Sequence, residues 1–302
     1  MTRIRSSSGS MIDDRRGRGG GGGGMSFPGL GGRGGGGMGI PTKAGGGILG
    51  IIIMLAAIFL PKLLGGGGGS GQSVGQPSED ATDGMNTEIE QVVAGAAEDV
   101  QRYWEIALPQ YFQQDYPSVK TVLFGPGSVE TACGPATSEV GPFYCPGDSL
   151  VYIDLEFMQQ LERQLVGSTA DLAEQYIMAH EYGHHVQNVL GTNRRADEAR
   201  QTGGADANQY SIALELQADC YAGLWVGDIA GTGGLESSNE IDEALAAAAG
   251  VGDDRIQQKT QGRIDPESWT HGSAEQRQEW FMRGFDTKDP LQCDTFTALG
   301  LS

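Results

Sequence analysis

The chain has 302 residues, 50 of them glycine, and a formal net charge of -19. So much glycine is incompatible with one uniformly packed domain and must be concentrated in segments without a core. The acidic excess disfavours nucleic acid as a partner.

Residues 1–47 hold much of the glycine, interspersed with Arg18, Arg33 and Lys43 and almost no aliphatic residues. Such a stretch cannot bury enough surface to offset chain entropy and is predicted to be a disordered tail. It is read as a flexible spacer in preference to a nucleic-acid-binding arginine-glycine segment. Residues 48–64, opening ILGIIIMLAAIFL, are uncharged except for Lys62. They predict one transmembrane helix, since a span needs about 20 apolar residues and 45–64 supply them if glycines and a snorkelling Lys62 are accepted. A cleaved signal peptide fits less well, because no small-x-small site follows the apolar run. Seven basic residues precede the span (Arg3, Arg5, Arg15, Arg16, Arg18, Arg33, Lys43), against Asp13 and Asp14. Removing these and Lys62 from the totals of 20 and 39 leaves 12 bases and 37 acids beyond it. Positive-inside logic then predicts a cytoplasmic N-terminus and an exported C-terminal part.

Residues 65–85 are a second glycine-rich linker, and a single mixed α+β domain is expected over 86–302, with more helix than strand. Ile89, Val92, Val93, Ala96, Val100, Tyr103, Trp104 and Ala107 recur at three and four, predicting a helix that fades near Pro109. Strands are expected at 120–124, 143–144 and 150–154. A helix capped by Ser168 or Thr169 should stop at Gly191, and others are predicted over 209–230, beyond Asn239 and over 273–285. Cys133, Cys145, Cys220 and Cys293 all lie in the exported part, where two disulfides are expected. Three pairings are open; Cys133 with Cys145 is preferred because GPATSEVGPFY between them is turn-rich, leaving Cys220 with Cys293.

Three of the four histidines fall in the string HEYGHH, residues 180–185. On a helix His180 and His184 project from one face a turn apart and can grip one tetrahedral ion. Glu181 sits about 100° round the same helix, placed to act on water as a general base. Gly183 costs the helix interior about 1 kcal/mol relative to alanine, which predicts a close approach to its backbone. A catalytic zinc takes three protein ligands and one water. Gln187 and Leu190 do not fit the longer motif that ends in a third histidine. The best third donor is Glu215, which shares a helix face with Asp219, so that one carboxylate can ligate while the other orients a ring nitrogen.

The strings ETACG (130–134), GPFYCP (141–146), VYIDLEF (151–157), HEYGHHVQ (180–187), ELQADCYAGLW (215–225) and THGSAEQRQEWF (270–281) together resemble the bacterial putative neutral zinc metallopeptidase family. More distantly, a glutamate followed by an aspartate four residues on, after HExxH, is similar to the gluzincins. The resemblance implies a zincin-like metallopeptidase fold with a small sheet, Glu215 as third zinc ligand and Asp219 behind a ligand. By the gluzincin analogy His271 is a candidate catalytic residue steadying the oxyanion, with Tyr182 and Tyr210 as alternatives. The segment 151–157 is expected to be an edge strand that pairs with a peptide substrate. The implied reaction is peptide-bond hydrolysis by water activated between Zn2+ and Glu181, in a protein of the bacterial inner membrane whose peptidase domain is periplasmic. Competing readings are a zinc-stapled binding module, closed by His185 or His271 as fourth ligand, and a cell-wall peptide amidase.

Overall fold

The computed structural model describes residues 9–17, 87–125, 127–137, 140–159, 171–201, 207–235 and 239–301. Helix α1 (Glu88–Phe112) starts from a capping box in which the Thr87 hydroxyl accepts the Glu90 amide and the Glu90 carboxylate accepts the Thr87 amide. Its apolar row of Val93, Ala97, Val100, Trp104 and Leu108 is buried in the main core. It runs through Pro109 rather than ending there. Proline deletes one donor, but a left-handed cap at Gln113, whose N–H donates to the Pro109 carbonyl, closes the extra turn.

Four strands form a mixed sheet in the order β1 (Ile12–Asp14), β2 (Thr121–Phe124), β6 (Leu150–Asp154), β5 (Phe143–Cys145). β1 and β6 run parallel to β2, while β5 runs antiparallel to β6. β3 (Ser128–Thr131) and β4 (Gly134–Thr137) make a separate hairpin. The Cys133–Cys145 disulfide staples its turn to β5, and Cys220–Cys293 closes a much longer loop, with sequence separations of 12 and 73.

The remaining elements are helical: α2 (Asp171–Val189), α3 (Thr192–Gln201), α4 (Ala207–Gly231), α5 (Asn239–Gly250), α6 (Asp253–Gln261), α7 (Ala274–Thr287) and the single turn α8 (Thr295–Ala298). α2 stops before Gly191, which takes the left-handed conformation at φ +72°. α4 is the axis of the fold, with every residue from Ser211 to Gly227 buried. A helix enclosed on all sides must read as apolar all round, as this one does apart from Ser211, Glu215, Gln217 and Asp219. α7 lies on it at backbone contact. A methyl on Gly223 would stand 1.9 Å from the Phe281 carbonyl oxygen, and one on Gly284 2.0 Å from that of Cys220.

Four expectations are corrected. The fold is mostly helical with two small sheets rather than one. Among the described residues no helix is long and apolar enough to cross a membrane. The single-pass inner-membrane anchor and the periplasmic placement built on it are therefore withdrawn; the apolar run 48–64 that suggested them lies outside the described residues. Residues 9–17, counted within the disordered tail, instead supply β1 to the domain's own sheet, because edge pairing uses main-chain groups that a hydrophobicity count ignores. Finally, β6 is an interior strand between β2 and β5, so the edges of the sheet are β1 and β5.

Candidate metal centre

The site arises where α2 crosses α4. A methyl on Gly183 would lie 3.1 Å from the Ala218 Cα and 3.2 Å from its carbonyl oxygen, so the glycine inside HEYGHH marks the contact between the two backbones. Through this contact the one-turn spacing of His180 and His184 on α2 meets that of Glu215 and Asp219 on α4. The imidazoles stand edge to face, 4.8 Å between centroids. Glu215 Oε2 lies 3.3 Å from His180 Nε2, and Oε1 lies 3.5 Å from His184 Nε2.

Each ring is held from behind. His180 donates from Nδ1 to Asp219 Oδ1 at 2.8 Å, and His184 donates from Nδ1 to Gln187 Oε1 at 2.8 Å. Both Nε2 atoms therefore face Glu215. Asp219 is fully buried and carries three further contacts: the Tyr176 hydroxyl, and Arg277 through Nε at 2.8 Å and Nη2 at 2.9 Å. Gln187 is locked by donating to the Leu214 carbonyl at 2.7 Å and to Gln217 Oε1 at 3.2 Å; Gln217 in turn donates to the Cys293 carbonyl at 2.9 Å. The helix that carries Glu215 thus also orients His184.

Burial disfavours a charged His180, but Asp219 and Glu215 outweigh it and push the imidazole up to about 9. Glu215 is driven the other way: burial opposes ionisation, and the surrounding histidines hold it well below the usual carboxylate range. Glu181 is buried beside them and burial lifts it above that range, against the pull of His184 and His180. The Tyr144 main chain on β5 pulls in the same direction as the histidines.

One ligating atom each from His180, His184 and Glu215 fits within 4.8 Å of the others, a compact donor set among the described residues. Tetrahedral bonds of about 2.0–2.1 Å place ligand atoms about 3.3 Å apart, close to the Glu215–histidine separations found here. Two imidazoles and a carboxylate suit zinc. The residues fit the metal.

His185 points elsewhere. Its Nε2 donates to the Pro117 carbonyl at 2.8 Å, its Nδ1 accepts from the Tyr144 hydroxyl at 3.0 Å, and burial lowers its pKa. His271 sits on the loop before α7, where Gly272 at φ +86° packs against Ile212 and Leu216, on either side of Glu215. Asp253 shapes that loop. Its Oδ2 accepts the amides of Thr270, His271 and Gly272, and its Oδ1 accepts His271 Nδ1–H at 3.0 Å. His271 Nε2 is left buried without a hydrogen-bond partner among the described residues. Tyr182 turns to β2, its hydroxyl 2.9 Å from Thr121 Oγ1, and Tyr210 lies against Phe296.

The profile of the family described as putative neutral zinc metallopeptidase matches residues 1–296 of the chain. The chain belongs to that family. The chain is similar to the uncharacterized protein Rv2575 of Mycobacterium tuberculosis, 50% identical over 218 residues, 69% of this chain and 71% of that one. The uncharacterized protein YpfJ of Escherichia coli K12 is 39% identical over 297 residues, 94% and 95% of the two chains. No solved structure matches the chain. The HExxH pair and the later glutamate are legible signals in the sequence, whereas Tyr176, Gln187, Asp253 and Arg277, which hold the histidines and Asp219 in place, were missed. Tyr176, one turn before His180, and Gln187, three residues after His184, had a spacing signal on their own helix. Asp253 and Arg277 are fixed by tertiary contact.

Proposed function

We propose that the chain hydrolyses peptide bonds with a zinc held by His180, His184 and Glu215. The observation that carries this is the convergence of two imidazole Nε2 atoms and one carboxylate on a single point, beside the buried carboxylate of Glu181. Bound there, zinc supplies Lewis acidity that lowers the pKa of water and polarises a carbonyl oxygen. Glu181, raised by burial, takes a proton from the attacking water and delivers it to the leaving amine. Asp219 keeps His180 in the Nδ1–H tautomer, and Gln187 does so for His184. His271, held at Nδ1 by Asp253 and with Nε2 buried without a hydrogen-bond partner among the described residues, is the side chain that steadies the carbonyl oxygen as charge develops there.

Against a closed structural site stand the two engaged nitrogens of His185. Three protein ligands leave a position for water, whereas structural zinc is closed by four. The ligand set is tested by zinc content of the full chain after mild dialysis. Wild type and Glu181→Gln are expected to retain about one zinc per chain, and Glu215→Ala far less; full occupancy in Glu215→Ala would remove that residue from the set.

A further inference from the structure

β2 has β6 on one side, and its other side would be an open sheet edge but for a segment from the far end of the chain. Open edges recruit strands, and proteins cover them. Here the cover is residues 9–17. Thr121 N–H donates to the Met11 carbonyl at 2.9 Å, and Arg15 N–H donates to the Leu123 carbonyl at 2.8 Å. Ile12 packs on the main core. The Arg15 guanidinium bonds Asp13 at 2.8 Å and stands 6.0 Å from the centre of the Tyr152 ring. Arg16 holds Asp14 at 2.6 Å and also pairs with Glu90, the residue that closes the capping box of α1.

The Arg16–Glu90 pair has a topological consequence. Glu90 lies three residues after Thr87, so the chain leaves the described fold just after Arg16 and rejoins it at the same corner. Docking within one molecule therefore needs no particular reach from residues 18–86. β2 is also tied to the metal helix, because Thr121 Oγ1 lies 2.9 Å from the hydroxyl of Tyr182, the neighbour of Glu181.

We infer that residues 9–17 are an intramolecular ligand for the β2 edge, added in cis as a fourth strand, so that the N-terminal segment and the metal-bearing domain share one compartment. The recognition is main-chain pairing of the β-augmentation kind, made specific by Ile12 and the Arg16–Glu90 ion pair. It does not rest on the peptidase reading, and its readouts are independent of metal and turnover.

Amide hydrogen exchange in the full chain tests it. The Thr121 amide is protected only while Met11 covers it, so deleting residues 2–17 should speed its exchange by about tenfold or more, with α4 amides unchanged as the folded control. Arg16→Glu should have the same effect in smaller degree. Adding Glu90→Gln, which keeps the cap but removes the repulsion, should restore protection in part. Protection should not vary with protein concentration over about a hundredfold range. Unchanged Thr121 exchange in the deleted chain would overturn the inference. If that chain does not fold, unchanged exchange in Arg16→Glu would do so. Protection that grows with concentration alongside a dimer would assign the strand to a second copy and overturn docking in cis.

Discussion

Gly183→Ala separates folding from metal binding at the point where the two meet. The new methyl would lie 3.1 and 3.2 Å from backbone atoms of Ala218, inside ordinary carbon contacts of about 3.5–4.0 Å. Backbone cannot swing aside as a side chain can, so α2 and α4 must part by a few tenths of an ångström, roughly 0.5 Å. Alanine gains about 1 kcal/mol of helix propensity. Overpacking costs about 1–3 kcal/mol, so the metal-free fold should lose at most about 2 kcal/mol. The metal centre is less forgiving, because zinc sites tolerate ligand displacements of about 0.2 Å. Ala218 is one turn after Glu215, and a shift of that size should weaken zinc binding by about 10-fold or more, the effect expected of a lost orienting partner. Chelator competition gives the affinity, and denaturant unfolding of the metal-free chain gives the stability. Wild-type affinity together with a gain of about 1 kcal/mol would show that Gly183 does not set the helix separation.

Arg277→Gln takes the guanidinium from buried Asp219 and leaves His180 as its charged partner, which should cost about 3 kcal/mol, the low end for a broken buried pair, in denaturant unfolding; a loss below about 1 kcal/mol would contradict the ion pair's place in the core. His180, raised to about 9 from an ordinary 6.5, carries its proton at pH 7 in the metal-free chain. Its contribution to metal-free stability is full below about pH 6.5 and fades as pH rises through about 9. Zinc must displace that proton, so calorimetry in buffers of different ionisation enthalpy should find about one proton released per zinc at pH 7, and no release would refute it. Replacing Cys220 and Cys293 by alanine opens the longer loop and should cost about 4 kcal/mol, against about 3 for the Cys133–Cys145 pair; the reverse order would contradict the loop-entropy account.

The histidine pair and Glu181 were legible because helical periodicity alone puts them on one turn, and Glu215 with Asp219 because two acids in an apolar helix call for partners. Arg277 was not, since it meets Asp219 only through the crossing of α7 on α4, where Gly223 and Gly284 let the backbones touch. Gln187 was weighed only as a position in a longer metal motif; its contact with His184 depends on amide acceptors from α4. α3 and α6 escaped notice for lack of an apolar stripe: α3 buries Thr192, Asn193 and Ala196, and α6 buries Asp253, Ile256 and Gln257. β1 was illegible for the opposite reason, because its affinity resides in backbone and charge. The proposed anchor shows the limit of reading hydrophobic runs, since charge counting assigned opposite sides of a membrane to segments that share one sheet.

The most direct test is hydrolysis of mixed peptides by the full-length, zinc-loaded chain, with Glu181→Gln measured at equal zinc occupancy. Cleavage by the wild type, abolished by a chelator and lost by about 10²-fold or more in Glu181→Gln, is the predicted result. Zinc-loaded wild type without any hydrolysis, or a Glu181→Gln variant as active as the wild type, would contradict the account.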